Sequence, residues 1–155
     1  MKKKKKIAVL LFIVFVGIQF IPTNHNESNL EYPSDFMQVF DVPQNIQDKL
    51  IASCYDCHSN NTKYPWYNKI QPLSWILEGH IEEGKNELNF NEFGNYSSRR
   101  QKSKITSIVR QIEGDKMPLS SYVFIHKEAK INETEKKEIL QWLTKLKNNE
   151  QTKTN

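Results

Sequence analysis

Cys54, Cys57 and His58 stand in the run Cys54-Tyr55-Asp56-Cys57-His58, which has the spacing C-x-x-C-H. Two thiols on one helical turn can add to the two vinyl groups along one edge of a haem, leaving thioethers at Cys54 and Cys57. The adjacent imidazole is then held beneath the porphyrin, where His58 binds iron as the proximal ligand. The chain has only two cysteines and four histidines, and both thiols fall in this motif. Zinc would ask for a second cysteine pair or two closely spaced histidines, whereas His80 and His126 lie far downstream. A thioredoxin-like dithiol expects a βαβ setting, and strand patterning is almost lacking here. A plain disulfide is the third alternative. The spacing points to one covalent haem c.

Iron has a second axial position to fill. Met117, in Gly114-Asp115-Lys116-Met117-Pro118, offers a soft thioether on a loop closed by proline, a ligand that raises the reduction potential. His80 is the alternative distal ligand, placed on the apolar stripe of a helix with its imidazole expected to face the interior. His126, in Phe124-Ile125-His126-Lys127, ranks third, and His25 is discounted because it lies in a polar connecting segment. Tyr64 and Trp66, in Lys63-Tyr64-Pro65-Trp66-Tyr67, are expected to wall the haem from water.

Four helical segments are expected to position these groups. The first begins at Pro43, which a helix start tolerates, and carries Ile46, Leu50 and Cys54 four apart into the motif before Ser59-Asn60-Asn61 breaks it. The second shows Leu73, Ile76, Leu77, His80, Ile81, Gly84 and Leu88 as one stripe. The third has Ile105, Ile108, Val109 and Ile112, with Gly114 as its C′ residue. The fourth has Asn132 as N-cap, Glu135 three residues on, and Ile139, Trp142, Leu143 and Leu146 on one side. These segments give an all-α fold class.

Lys2 to Lys6 form a basic run ahead of the apolar stretch Ile7–Ile21. That stretch rises about 22 Å as a helix, against roughly 30 Å of hydrocarbon. It suits a signal-peptide core or a short anchor, and no small-x-small cleavage site lies after it. An uncleaved N-terminal membrane helix is the expectation, with a cleaved leader and a soluble periplasmic product as the alternative. The basic run stays cytoplasmic and residues after Ile21 cross the membrane. The formal charge of +4 becomes −1 once those five lysines are set aside. The basic pI therefore belongs to the leader, and nucleic-acid binding has no support. Residues 1–21 read as signal or anchor, 22–35 as a polar tether, 36–147 as the haem-binding domain, and 148–155 as a disordered tail.

The order of helix, C-x-x-C-H, loop, helices, Met-Pro loop and terminal helix resembles the small class I cytochrome c fold. That resemblance implies crosswise packing of the first and last helices and a methionine distal ligand. More narrowly, the block from Ser53 to Tyr67 is similar to a bacterial haem-binding domain family. Glu87-Leu88-Asn89-Phe90-Asn91-Glu92-Phe93 and Met117-Pro118-Leu119-Ser120-Ser121-Tyr122, leading to His126, also fit its pattern. The resemblance covers roughly residues 40 to 147 and implies thioethers at Cys54 and Cys57, His58 as proximal ligand and Met117 as distal ligand. It implies an exported, haem-carrying protein without specifying a reaction.

The leading functional expectation is a membrane-anchored monohaem electron carrier, not an enzyme, that meets redox partner proteins in the periplasm or membrane. A tether raises the effective concentration of partners there. The alternatives are a haem peroxidase module, with His80 and Glu78, Glu82 or Glu83 as acid–base groups, and a haem sensor or partner subunit.

Overall fold

The computed structural model describes residues 2–152 and is helical, with no strand among the described residues. In chain order the helices are α1 (Lys2–Ile18), α2 (Phe36–Val39), α3 (Gln44–Leu50), α4 (Asp56–His58), α5 (Leu73–Glu87), α6 (Ser98–Glu113), α7 (Ser120–Ile125) and α8 (Glu133–Thr152). A π-helical turn, Ile51–Tyr55, joins α3 to α4, and short 3-10 turns occupy Trp66–Lys69, Phe90–Asn95 and Lys127–Ala129. All four expected helices are present. The additional short elements were too brief to leave a helical period in the sequence.

The end signals act as their chemistry dictates. Asn132 Oδ1 accepts from the N–H groups of Thr134 and Glu135, while Glu135 Oε2 accepts from the Asn132 N–H. This reciprocal pair satisfies donors that the first turn of α8 leaves open. Pro43 caps α3. Gly114 ends α6 with φ −85°, and it is Asp115, at φ 52°, that takes the left-handed position expected of the glycine. An aspartate tolerates that conformation better than most residues, and its carboxylate accepts from Lys136 Nζ at 2.6 Å.

The core forms where α3, α6 and α8 meet: Ile46, Leu50, Ile105, Ile108, Ile112, Ile139 and Leu143 are buried. Asn45 Nδ2 donates to Glu138 Oε2 and Lys49 pairs with Glu135, which ties α3 to α8 at the surface. Phe36, Phe90 and Phe93 extend this core in edge-to-face contacts with centroids 4.9–5.4 Å apart. That is the arrangement ring quadrupoles favour.

α1 is a 17-residue helix that includes the five lysines, and no helix among the described residues is long and apolar enough to cross a membrane, so the expected transmembrane helix is not found there. Residues 148–152 of the expected tail continue α8, and 153–155 lie outside the described residues. The polar segment 22–35 is docked along the domain. Asn26 alone bonds Ser59, Thr62, Tyr64 and Lys85, because asparagine side chains can satisfy backbone groups that loops leave unpaired. It is a strap, not a free tether.

Candidate functional site

Cys54 lies in the π-helical turn and Cys57 and His58 in α4, all three half-buried. A π-turn inserts an extra residue into a helix and re-aims the side chains beyond it. Here it lets Leu50 and Ser53 stay in the interior, with Cys54 and Tyr55 packed on the core. Ser53 Oγ donates to the Ala129 carbonyl at 2.9 Å, locking the turn to the segment before α8.

The stretch after α5 is the cradle of the motif. Nδ1 of His58 lies 3.0 Å from the carbonyl oxygen of Leu88. A carbonyl only accepts, so Nδ1 carries the proton and the lone pair is left on Nε2. Phe90 stacks on Tyr55, with centroids 4.8 Å apart, and presents its ring edgewise to His58. Asn89 Nδ2 donates to Asn60 Oδ1, and the Asn60 N–H donates to Asn91 Oδ1. Asp35 accepts from Met37 N–H, Tyr55 Oη and Asn91 Nδ2. The Tyr55 hydroxyl is pushed far above its usual range by burial and then by Asp35.

A second group of residues approaches Cys57 from the other side. Tyr122 Oη donates to Asp56 Oδ2 at 2.6 Å, and its ring stacks on His126, with centroids 4.4 Å apart. His126 Nε2 lies 3.0 Å from Tyr67 Oη, and its Nδ1 lies 3.3 Å from Glu128 Oε1. Burial first and Cys57 second raise the Tyr67 hydroxyl above its usual range, and burial with Asp56 raises Tyr122. Burial holds the thiols protonated: Cys54 is pushed up to about 12 and Cys57 to about 11, with Cys57 and Asp56 respectively as the lesser causes. Burial also lowers the His58 imidazole, so the ring is neutral, the form that binds metal.

The remaining expected residues are placed unequally. Met117 is half-buried in the loop between α6 and α7, its N–H on the Gln111 carbonyl. His80 is exposed and does not face the interior. The phase of α5 is set by Ser74, Ile81 and Gly84, with a Cβ at Gly84 falling 2.6 Å from the Cys57 carbonyl oxygen. Leu73, Ile76 and His80 thus turn outward. Tyr64 is committed to the strap: its ring lies against His25, its hydroxyl accepts from Asn26 N–H and donates to Glu78 Oε2, and burial pushes it up to about 12. Trp66 is 74 % exposed and edge-on to Tyr67. An open cavity of about 410 Å³ lies between the strap and α5, lined by His25, Glu78 and Lys85 among others, and none of Cys54, Cys57 or His58 borders it. Sequence reasoning missed the bond of Tyr122 to Asp56 within the motif and the link from Tyr67 to His126. Their only sequence signal was their position inside the family-like blocks.

These donors fit a covalently held haem: two protonated thiols one turn apart and a neutral imidazole whose free nitrogen is fixed by a carbonyl on the other. The chain matches the Haem-binding domain family over residues 13–145. It belongs to that family. The match opens inside α1 and runs through the strap, so the Haem-binding domain begins well before the cysteine motif. No curated protein and no solved structure matches this Haem-binding domain.

Proposed function

We propose that this Haem-binding domain carries one haem c, joined by thioethers to Cys54 and Cys57, and passes single electrons between partner proteins outside the cytoplasm. The observation that carries the reading is the bond between His58 Nδ1 and the Leu88 carbonyl. Such a bond fixes the tautomer and ring orientation of a metal-binding histidine and makes it a stronger donor. The bound group supplies one-electron chemistry through its iron. The chain's own residues then have distinct tasks. His58 and Met117 would hold the iron, and Asn60, Asn89 and Asn91 would keep the motif from shifting between oxidation states. The basic run and the apolar stretch Ile7–Ile21 direct the domain across the inner membrane and keep it at the periplasmic surface.

We favour the electron carrier over the peroxidase because His80, Glu82 and Glu83 are exposed and Glu78 accepts from Tyr64. The sensor reading has no specific feature in its favour.

The test is expression with c-type maturation enzymes. The expected product has the polypeptide mass increased by one haem, an increase that Cys54→Ala/Cys57→Ala abolishes. Its oxidised spectrum shows a far-red sulfur-to-iron band that Met117→Ala removes. A colourless product of bare polypeptide mass overturns the proposal.

A further inference from the structure

The end of α1 is joined to the domain by reciprocal hydrogen bonds. Gln19 Nε2 donates to the Gln71 carbonyl at 3.1 Å, and the Gln71 N–H donates to Gln19 Oε1 at 3.0 Å. Gln71 Nε2 also donates to the Ile21 carbonyl at 3.2 Å, and Thr23 Oγ1 lies 2.9 Å from Ser74 Oγ. Gln71 and Ser74 are both buried, so this joint is part of the folded unit and α1 is not hung on a swivel.

Around the joint the apolar side chains point outward. Phe20 is 82 % exposed, Ile21 49 %, Leu73 45 %, Trp75 36 % and Ile76 54 %. Leu73 sits between the two residues that bond the chain after α1, and Ile76 shares its helix face one turn on. The joint sets this face beside the end of α1, whose apolar residues from Ile7 to Val16 are exposed. A helix apolar all round requires burial in protein or lipid. A contiguous apolar surface of this kind marks a contact face.

We propose that Leu73, Trp75 and Ile76, with Phe20 and Ile21, form a face that rests in the lipid bilayer beside α1. The proposal rests on the reading of α1 as the membrane contact. Lipid is the occupant because the Gln19–Gln71 joint fixes these side chains beside α1, whose basic run followed by an apolar stretch is the pattern of a membrane-directed helix. Trp75 at the rim suits the headgroup level, where indole is favoured. The domain is thereby held in one orientation at the membrane, with the haem motif at a set distance from it.

Full-length haem-loaded protein in vesicles of phosphatidylethanolamine and phosphatidylglycerol, treated with a lipid-confined photoactivated carbene and mapped by mass spectrometry, tests this. The expected result is label on α1 and on the peptide containing Leu73–Ile76, with none on Trp142 and Leu143. In Leu73→Glu/Ile76→Glu, two exposed positions that leave the core intact, label on that peptide falls at least fivefold relative to α1. Label on α1 with none on Leu73–Ile76 overturns the docking face, leaves the membrane reading of α1 standing and assigns the face to a protein partner. Absence of label from α1 overturns both.

Discussion

The Nδ1 atom of His58 and the carbonyl oxygen of Leu88, 30 residues apart, meet at 3.0 Å. The bond gives the imidazole more electron density at Nε2 than a free ring would have, which would favour the oxidised state of an iron bound there. In His58→Gly, imidazole supplied in solution can still donate to the Leu88 carbonyl, whereas N-methylimidazole has no N–H to donate; both should restore a low-spin spectrum. N-methylimidazole should be held about 10–100-fold less tightly than imidazole, and its midpoint potential should be the higher of the two. Equal potentials for the two ligands would show that Leu88 has no electronic role.

Tyr122 links the segment after Met117 to the residue between the two cysteines, through its 2.6 Å bond to Asp56. Tyr122→Phe removes only the hydroxyl and leaves the stack on His126. The loss of one hydrogen bond to a carboxylate should cost on the order of 1.5 kcal/mol in urea unfolding. The Met117 loop should also loosen, seen as a weaker far-red band and faster amide exchange across residues 117–125. Unchanged exchange there would mean that α7 is held by packing alone.

The helices that carry their own stop and start chemistry were legible. Asn132 with Glu135, Pro43 and the isoleucine stripe of α6 each have a local physical reason that survives folding. The motif was legible for the same reason, because its chemistry depends on spacing along one turn. The phase of α5 was not. Its contact with the motif is made by the absence of a side chain at Gly84, and its first turn is held by the buried hydroxyl of Ser74 against Thr23 and Asn68, an inward position to which apolar periodicity gives no weight. The inferred stripe held the inward Ile81, Gly84 and Leu88 but also took in the outward Leu73 and Ile76, which carried His80 with them to the exposed side. The strap was hidden because a run of Asn, Ser and Glu looks like solvated linker until its partners, such as Ser59 and Thr62, are in place.

The buried thiols make the haem-free chain sensitive to alkali. The folded pKa values of about 12 for Cys54 and about 11 for Cys57 stand above their ordinary 9.0. A group whose folded pKa is raised favours the native state while it stays protonated. That contribution is whole below pH 9 and is lost as pH rises toward 11 and 12. Urea midpoints of the haem-free protein should therefore fall between pH 9 and 11 more steeply than those of Cys54→Ser/Cys57→Ser. The comparison cancels the shared titration of lysines and tyrosines. Parallel slopes would mean that the thiols are already solvated in the haem-free protein.

Gly84 decides how closely α5 can approach the haem motif. A Cβ there would stand 2.6 Å from the Cys57 carbonyl oxygen and 3.3 Å from the Cys57 Cβ. The first of these is backbone, which cannot swing aside as a long side chain would. Gly84→Ala therefore has to push α5 away from α4. In an exposed helix the same change stabilises by roughly 0.5–1 kcal/mol; here overpacking should outweigh that and leave a net loss of about 1–3 kcal/mol. Because the cradle for His58 begins at the end of α5, moving the helix also lengthens the bond to the Leu88 carbonyl. The variant should show reduced haem yield during maturation and a raised midpoint potential in the fraction that matures. Gly79→Ala, on the same helix with open space around its Cβ, is the matched control and should gain stability. If both substitutions behave alike, the close approach of α5 to Cys57 does not exist in solution.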